Sequence, residues 1–213
     1  MSPDPAAFVR ANTVLAAPPL VPEIRLHLAT EVTPLWQATE AVLDRTGLPP
    51  PYWAFAWAGG QAVARYVLDH PATVRGRSVL DVGAGSGLIA IAAAMAGAAG
   101  VTAADIDPFA ATAIALNAAA NGVAIRVETD DVIGGGGADV LLLGDMCYER
   151  PLAERLTGWV RRCAAQGALV LLGDPGRAYL PPSGLEERAR YTVATPLDLE
   201  DRESRVAVVW QLA

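Results

Sequence analysis

The run Ser78-Val-Leu-Asp-Val-Gly-Ala-Gly-Ser-Gly-Leu88 constrains this chain more than any other segment. A stretch with strand character ends in Gly83, Gly85 and Gly87, and an Ala/Ile run with helical character follows at once. Glycines let a backbone turn sharply out of a strand and let a ligand come close to it. The segment therefore predicts a strand, a bare turn and a helix, the opening unit of an alternating α/β sheet. The spacing is G-x-G-x-G with Leu at 88, which departs from the G-x-G-x-x-G of dinucleotide dehydrogenases. Asp81, on the strand itself, opposes a pyrophosphate and suits a ligand with a cationic amino-acid end.

The alternation continues downstream. Strands are expected over 78–82, 101–104, 125–128, 138–143 and 168–172, with helices over 86–96, 108–121 and 151–164. The fourth and fifth strands are almost wholly apolar, as befits parallel strands buried on both faces. The tail predicts a short helix over 184–190, then strands over 191–194 and 206–212. Two final strands without a helix between them imply a hairpin, and so one antiparallel strand. The expected fold is a doubly wound, seven-stranded, mostly parallel sheet. Upstream, residues 1–20 are Ala/Pro-rich and expected to be loosely ordered, with a strand over 24–28 and a helix over 34–45. An aromatic loop over 52–61 leads into a helix over 61–70. Residues 1–50 are expected to form an N-terminal extension packed on a main domain of residues 51–213.

A chain of 213 residues fits one α/β domain, and a hydrophobic content of 53% permits a large core. No apolar run reaches the length of a membrane span, and the first 20 residues lack a secretion signal. Cys147 and Cys163 give neither a disulfide framework nor metal-ligand spacing. These features predict a cytoplasmic protein without membrane or metal. The net charge of −7 makes nucleic acid a poor partner. All sixteen basic residues are Arg, which removes Lys-based chemistry such as a P-loop or a Schiff base. His27 falls in a strand pattern and His70 at a helix end, and neither suggests catalysis.

Ligands of parallel sheets sit at the carboxyl ends of the strands. Four polar clusters fall there. Gly83, Ala84, Gly85 and Gly87 close the first strand. Asp105-Ile106-Asp107-Pro108 closes the second. Asp105 can accept both hydroxyls of a ribose, while Asp107 suits the N-cap of a helix opened by Pro108. Thr129-Asp-Asp131 closes the third, where Asp131 is the candidate for an adenine amino group; two solvated loop acids are the alternative. Gly144-Asp145-Met-Cys-Tyr148 closes the fourth. A ligand with an ammonium, a ribose and an adenine but no phosphate fits this set: S-adenosylmethionine, with S-adenosylhomocysteine as product.

With these motifs in this order, residues 78–172 resemble the class I S-adenosylmethionine-dependent methyltransferases. Three further segments sharpen the resemblance. Trp53-Ala-Phe-Ala-Trp57-Ala-Gly-Gly-Gln61 is similar to the W-x-F-x-W-x-G-G-Q segment of methyltransferase family 16. Asp145-Met-Cys-Tyr148 is similar to that family's D/E-x-x-F/Y motif. Gly173-Asp174-Pro-Gly-Arg177 resembles the G-D-P-G-R segment of lysine methyltransferases acting on the electron transfer flavoprotein β subunit. The chain departs from the family in Cys147 and in its Ala/Pro-rich N-terminus.

The resemblance implies a protein-lysine N-methyltransferase with the flavoprotein β subunit as partner. It implies that Trp57 and Gln61 border the methionine end of the cofactor. The candidate cofactor-binding set is thus Trp57, Gln61, Asp81, Gly83, Ala84, Gly85, Gly87, Asp105, Ile106, Asp131 and Gly144. Asp145 and Tyr148 are the candidate catalytic pair: Asp145 to capture and aim the incoming amine, or else to cap the following helix, and Tyr148 to wall the slot or pack at the sheet edge. Trp53, Asp174 and Arg177 are candidates on the substrate side. Two rival functions stand beside this one, a small-molecule N-methyltransferase for a nicotinamide-like amine and a binding protein of the same fold without turnover.

Overall fold

A computed structural model of the chain describes residues 4–30, 50–194 and 204–212. The helix expected over 34–45 lies outside these residues.

The strand-turn-helix unit forms as its sequence dictates. Strand β3 (Ser78–Val82) ends in the glycine turn, and the following helix spans Leu88–Met95, with Gly87 at its N-cap in the left-handed region. β4 (Gly100–Ala104) pairs in parallel with β3, and a helix over Pro108–Ala120 follows. Asp107 caps that helix, its carboxylate accepting the Phe109 N–H at 2.8 Å, with Pro108 in the first turn. β5 (Arg126–Glu128) adds the outer edge beside β4. β6 (Val140–Gly144) pairs on the other side of β3, and β7 (Leu169–Asp174) beside β6, both in parallel. Four consecutive buried residues in β6 follow from helices covering both faces.

The last two strands depart from expectation. Residues 185–190 are strand, not helix: β8 (Leu185–Ala194) runs antiparallel to β9 (Ser204–Leu212). Glu and Arg favour a helix in isolation, but a long ladder with β9 overrides that preference. The exposed charges of this outer strand also discourage pairing with another chain. β9 pairs antiparallel with β7 as well, so the sheet order is β5-β4-β3-β6-β7-β9-β8. Seven strands, one of them antiparallel to its neighbours, match the expected fold.

The N-terminal part is more regular than its composition suggests. A helix over Pro5–Asn12 is capped by Asp4 and packs against the Pro108–Ala120 helix. β1 (Val14–Ala16) and β2 (Leu26–Leu28) form a small separate antiparallel pair. Buried Asn117 ties β2 to the domain through the His27 N–H at 2.7 Å, and donates to the Ser86 carbonyl beside the glycine turn. Among the described residues, no helix is long and apolar enough to cross a membrane.

Between β2 and β3, a 3₁₀ turn (Tyr52–Ala54) precedes a helix over Ala58–Asp69, which starts three residues earlier than expected. Its first turn holds Gly59 and Gly60, poor helix formers. Packing explains Gly59, where a Cβ would strike the Gly173 carbonyl oxygen, and Gly144 beneath the helix, where one would lie 2.7 Å from Gly60 Cα. This helix therefore lies backbone-to-backbone on the ends of β6 and β7.

Candidate active site

A cavity of about 610 Å³ opens at the carboxyl ends of β3, β4, β5 and β6, within the usual range for a small-molecule site. Its floor is the glycine turn. Gly83 (φ +66°) and Gly85 (φ +52°) line it in a backbone region that other residues rarely adopt. Gly87 and Ala84 belong to the same turn, but Gly87 backs onto Ile114 and Ala84 is buried in the core.

Asp105 lines the cavity at the end of β4. Its Oδ2 accepts the Gly85 N–H at 2.8 Å and its Oδ1 the Asp107 N–H at 3.0 Å. Burial raises its pKa, and those two N–H groups pull it back. Each carboxylate oxygen keeps a second lone pair, the requirement for holding a diol. Ile106 is 73% exposed and lines the same wall. Asp131 also lines the cavity, but its carboxylate is engaged: it pairs with Arg155 and accepts the Ile133 N–H at 3.0 Å.

Asp81 stands elsewhere. It is fully buried, and its Oδ2 accepts the Ala90 N–H at 3.0 Å, inside the helix that follows the glycine turn. Burial pushes its pKa up to about 7. It is not among the residues lining the cavity; that hydrogen bond ties β3 to the helix, while its Oδ1 is buried without a hydrogen-bond partner. Gln61 likewise is not among the lining residues. It is buried, accepts the Leu20 N–H at 3.1 Å and donates to the Ala56 carbonyl at 2.6 Å, fastening the N-terminal segment to the domain. Asp174, expected on the substrate side, is buried beneath its own turn, where its Oδ1 accepts the N–H groups of Gly176 and Arg177.

The other candidates meet at one end of the cavity. Gly144 and Asp145 lie at and just beyond the end of β6. Asp145 is the one described non-glycine residue with positive φ, at +60°, a conformation that Asp tolerates better than most. The backbone strain turns its side chain inward, where Oδ2 accepts the Gly60 N–H at 2.8 Å and Oδ1 the Arg177 guanidinium at 2.9 Å. It does not cap the next helix (Arg150–Ala165), whose N-cap is Glu149. Burial raises the Asp145 pKa and Arg177 opposes the rise.

Aromatic rings frame this end. Tyr52 lies 6.0 Å from Trp57 and 5.9 Å from Tyr148, centre to centre, and all three line the cavity. Trp57 donates its indole N–H to the Tyr52 carbonyl at 2.9 Å and stands 5.7 Å below the Arg177 guanidinium carbon. Trp53, buried and stacked on Phe109, supports the wall. Tyr148 is 44% exposed, at the rim rather than packed on the sheet edge. Sequence reasoning missed Tyr52 and the Gly59–Gly60 contact; the paired glycines at a helix start were the available signal.

These residues fit S-adenosylmethionine. The turn offers bare backbone, Asp105 keeps acceptors for a ribose, and the two arginines lining the cavity, Arg155 and Arg177, are each paired with an acid. Among the described residues, no cluster of three or more His, Cys, Asp or Glu could hold a metal ion.

Known proteins agree. Residues 66–143 match the family model of ribosomal protein L11 methyltransferase (PrmA). Magnesium protoporphyrin IX methyltransferase from Synechocystis, solved with bound S-adenosylmethionine, shares the fold at a TM-score of 0.52 and 21% identity, covering 72% of this chain and 79% of that one. The electron transfer flavoprotein beta subunit lysine methyltransferase of Rattus norvegicus is 39% identical over 216 residues, covering 96% of this chain and 82% of its own length. The Homo sapiens protein of that name is 42% identical over 191 residues, 83% of this chain and 68% of that one. A homolog in Caenorhabditis elegans is 34% identical, covering 86% of this chain and 81% of its own. With such identity over nearly its whole length, and with this fold and site, the chain belongs to the family of the electron transfer flavoprotein beta subunit lysine methyltransferases, S-adenosylmethionine-dependent enzymes.

Proposed function

We propose that this chain methylates lysine side chains of the electron transfer flavoprotein β subunit. One observation supports the reading most. A buried carboxylate, Asp145, holds the Arg177 cation beneath an aromatic rim, just beyond the end of the strand next to the one that carries the glycine turn. An ammonium on a slender stem is the substrate such a site suits. The substrate protein is taken from the names of the relatives. The cytoplasm is the compartment proposed with it, in keeping with two free buried cysteines, and the net charge of −7 argues against nucleic acid.

Held on the glycine turn, S-adenosylmethionine would supply an electrophilic methyl to a neutral lysine Nζ, with S-adenosylhomocysteine as the leaving group. The glycine backbone and Asp105 hold the cofactor in this reading, with Ile106 and Asp131 at the adenine end. Positioning dominates such an in-line displacement. A lysine of pKa ~10.4 costs about 4–5 kcal/mol to deprotonate at pH 7. Asp145 does not lower that cost, since a carboxylate stabilises ammonium; its role is to draw the side chain in and aim it. Tyr148, Tyr52 and Trp57 offer ring faces to the cation, each worth about 0.5–2 kcal/mol.

The test is methyl transfer from radiolabelled S-adenosylmethionine to purified electron transfer flavoprotein and, in parallel, to nicotinamide, with mass spectrometry of the labelled product. Label on β-subunit lysines is expected. Label on nicotinamide alone, or cofactor binding without transfer, overturns the reading.

A further inference from the structure

Arg177 lies between the Asp145 carboxylate and the Trp57 ring. Its Nη2 donates to Asp145 Oδ1 at 2.9 Å, and its guanidinium carbon stands 5.7 Å from the Trp57 ring centre. A carboxylate on one side and an aromatic face on the other are the contacts a bound lysine would make.

The arginine is fixed at its root and lightly held at its tip. At the root, the Gly176 and Arg177 N–H groups donate to Asp174 Oδ1 at 2.7 and 2.6 Å, which pins the turn. At the tip, Nη2 makes the bond to Asp145 while Nε is buried with no hydrogen-bond partner. The contact is a single bond rather than the two-pronged grip that guanidinium and carboxylate can form. Asp145 is better secured: Gly60 keeps Oδ2 at 2.8 Å whatever partner Oδ1 has.

We infer that Arg177 is a resident cation in the lysine slot, which keeps Asp145 ionised and aimed before substrate arrives and gives up its place on Oδ1 to the incoming ammonium. The inference rests on the lysine-methyltransferase reading above. One cation replaces another, so the buried carboxylate never stands unpaired, a state that is costly. The exchange also selects substrates. A neutral ring nitrogen, such as that of nicotinamide's amide-bearing relatives, brings no charge to trade, whereas a lysine does. Arg177 acts through Asp145 and is a positioning residue. Asp145 also faces Asp174 from β7 and Cys147 from its own loop, and neither supplies a replacement positive charge.

The test compares wild type, Arg177→Gln and Arg177→Lys. Cofactor affinity is measured by calorimetry, the Asp145 carboxyl titration by carbon-13 NMR in substrate-free protein, and kcat and KM for the purified flavoprotein at one pH below and one pH above the midpoint so found. In Arg177→Gln the titration midpoint is expected to rise by a unit or more. KM should increase at least tenfold below the midpoint measured for that variant and return to within threefold of wild type above it, with kcat and cofactor affinity within about threefold. Arg177→Lys should restore most of both shifts. An unmoved midpoint, or a KM ratio that is the same at both pH values, overturns the exchange while leaving the lysine reading intact. A wild type that does not methylate the flavoprotein overturns that reading, and the exchange with it. A merely structural arginine would lower cofactor affinity and kcat together and leave the pH profile alone.

Discussion

Asp105 Oδ2 accepts the backbone N–H of Gly85 at 2.8 Å, so the acid at the end of β4 and the glycine turn after β3 are braced as one unit. A residue expected to bind the ligand directly thus also shapes the turn the ligand lies on. Asp105→Asn keeps the size but weakens both acceptor functions. Cofactor affinity is expected to fall tenfold or more, about 1.5–3 kcal/mol for hydrogen bonds to a charged group. Isothermal calorimetry with S-adenosylhomocysteine checks it; unchanged affinity removes Asp105 from the site.

Asp145→Asn separates binding from transfer. Asn tolerates the positive φ at this position, so the backbone should hold. Methyl transfer is expected to drop by a hundredfold or more with cofactor affinity within about threefold. Single-turnover transfer beside a binding titration decides it, and a loss of cofactor binding would assign Asp145 to the wrong ligand.

Gly59 and Gly60 are neighbours with opposite expectations. A Cβ on Gly59 meets the Gly173 carbonyl and lies 2.7 Å from Asp145 Oδ2, whereas one on Gly60 meets nothing within 4 Å. Gly59→Ala should cost about 1–3 kcal/mol by overpacking, seen as a melting point lower by roughly 3–10 °C. Gly60→Ala should be neutral or up to about 1 kcal/mol more stable, from the better helix former. Two thermal melts suffice, and equal effects would mean the helix does not lie on the strand ends in this way.

Stability should fall as pH rises through neutrality. Burial lifts the Asp81 pKa from 3.8 to about 7, so the folded protein keeps a proton that the unfolded chain has already lost. The stabilising contribution is complete below about pH 4 and gone once pH passes 7, on the order of 4 kcal/mol at about 1.4 kcal/mol per unit. Buried Asp105, Asp145 and Asp174 are raised as well and act in the same direction. Without cofactor, the wild-type melting point is expected to fall from pH 5 to pH 8, and Asp81→Asn should flatten that slope. A wild-type profile that rises over this range would show Asp81 ionised.

The β3 turn, the alternation that follows it and the acid at 105 were legible because each is local: strand, glycine and helix signals sit side by side and act through neighbouring backbone. The outer strand at 185–194 was not, because its residues prefer a helix until β9 pairs with them. Asp81 and Gln61 carry motif positions, yet their side chains turn to the Ala90 N–H and to the Leu20 and Ala56 backbone.

By itself, then, the sequence determined the βα order, the glycine turn and the classes of side chain at the strand ends, since these follow from periodicity and backbone freedom within a few residues of one another. The tertiary structure alone decided which of those side chains share a space. Arg177 reaches Asp145 across 32 positions, and Gly59 lies against Gly173, because β6 and β7 are adjacent in the sheet and a glycine helix start can rest on their ends. Contacts between distant segments depend on how packed layers bring them together, and no local pattern encodes that distance.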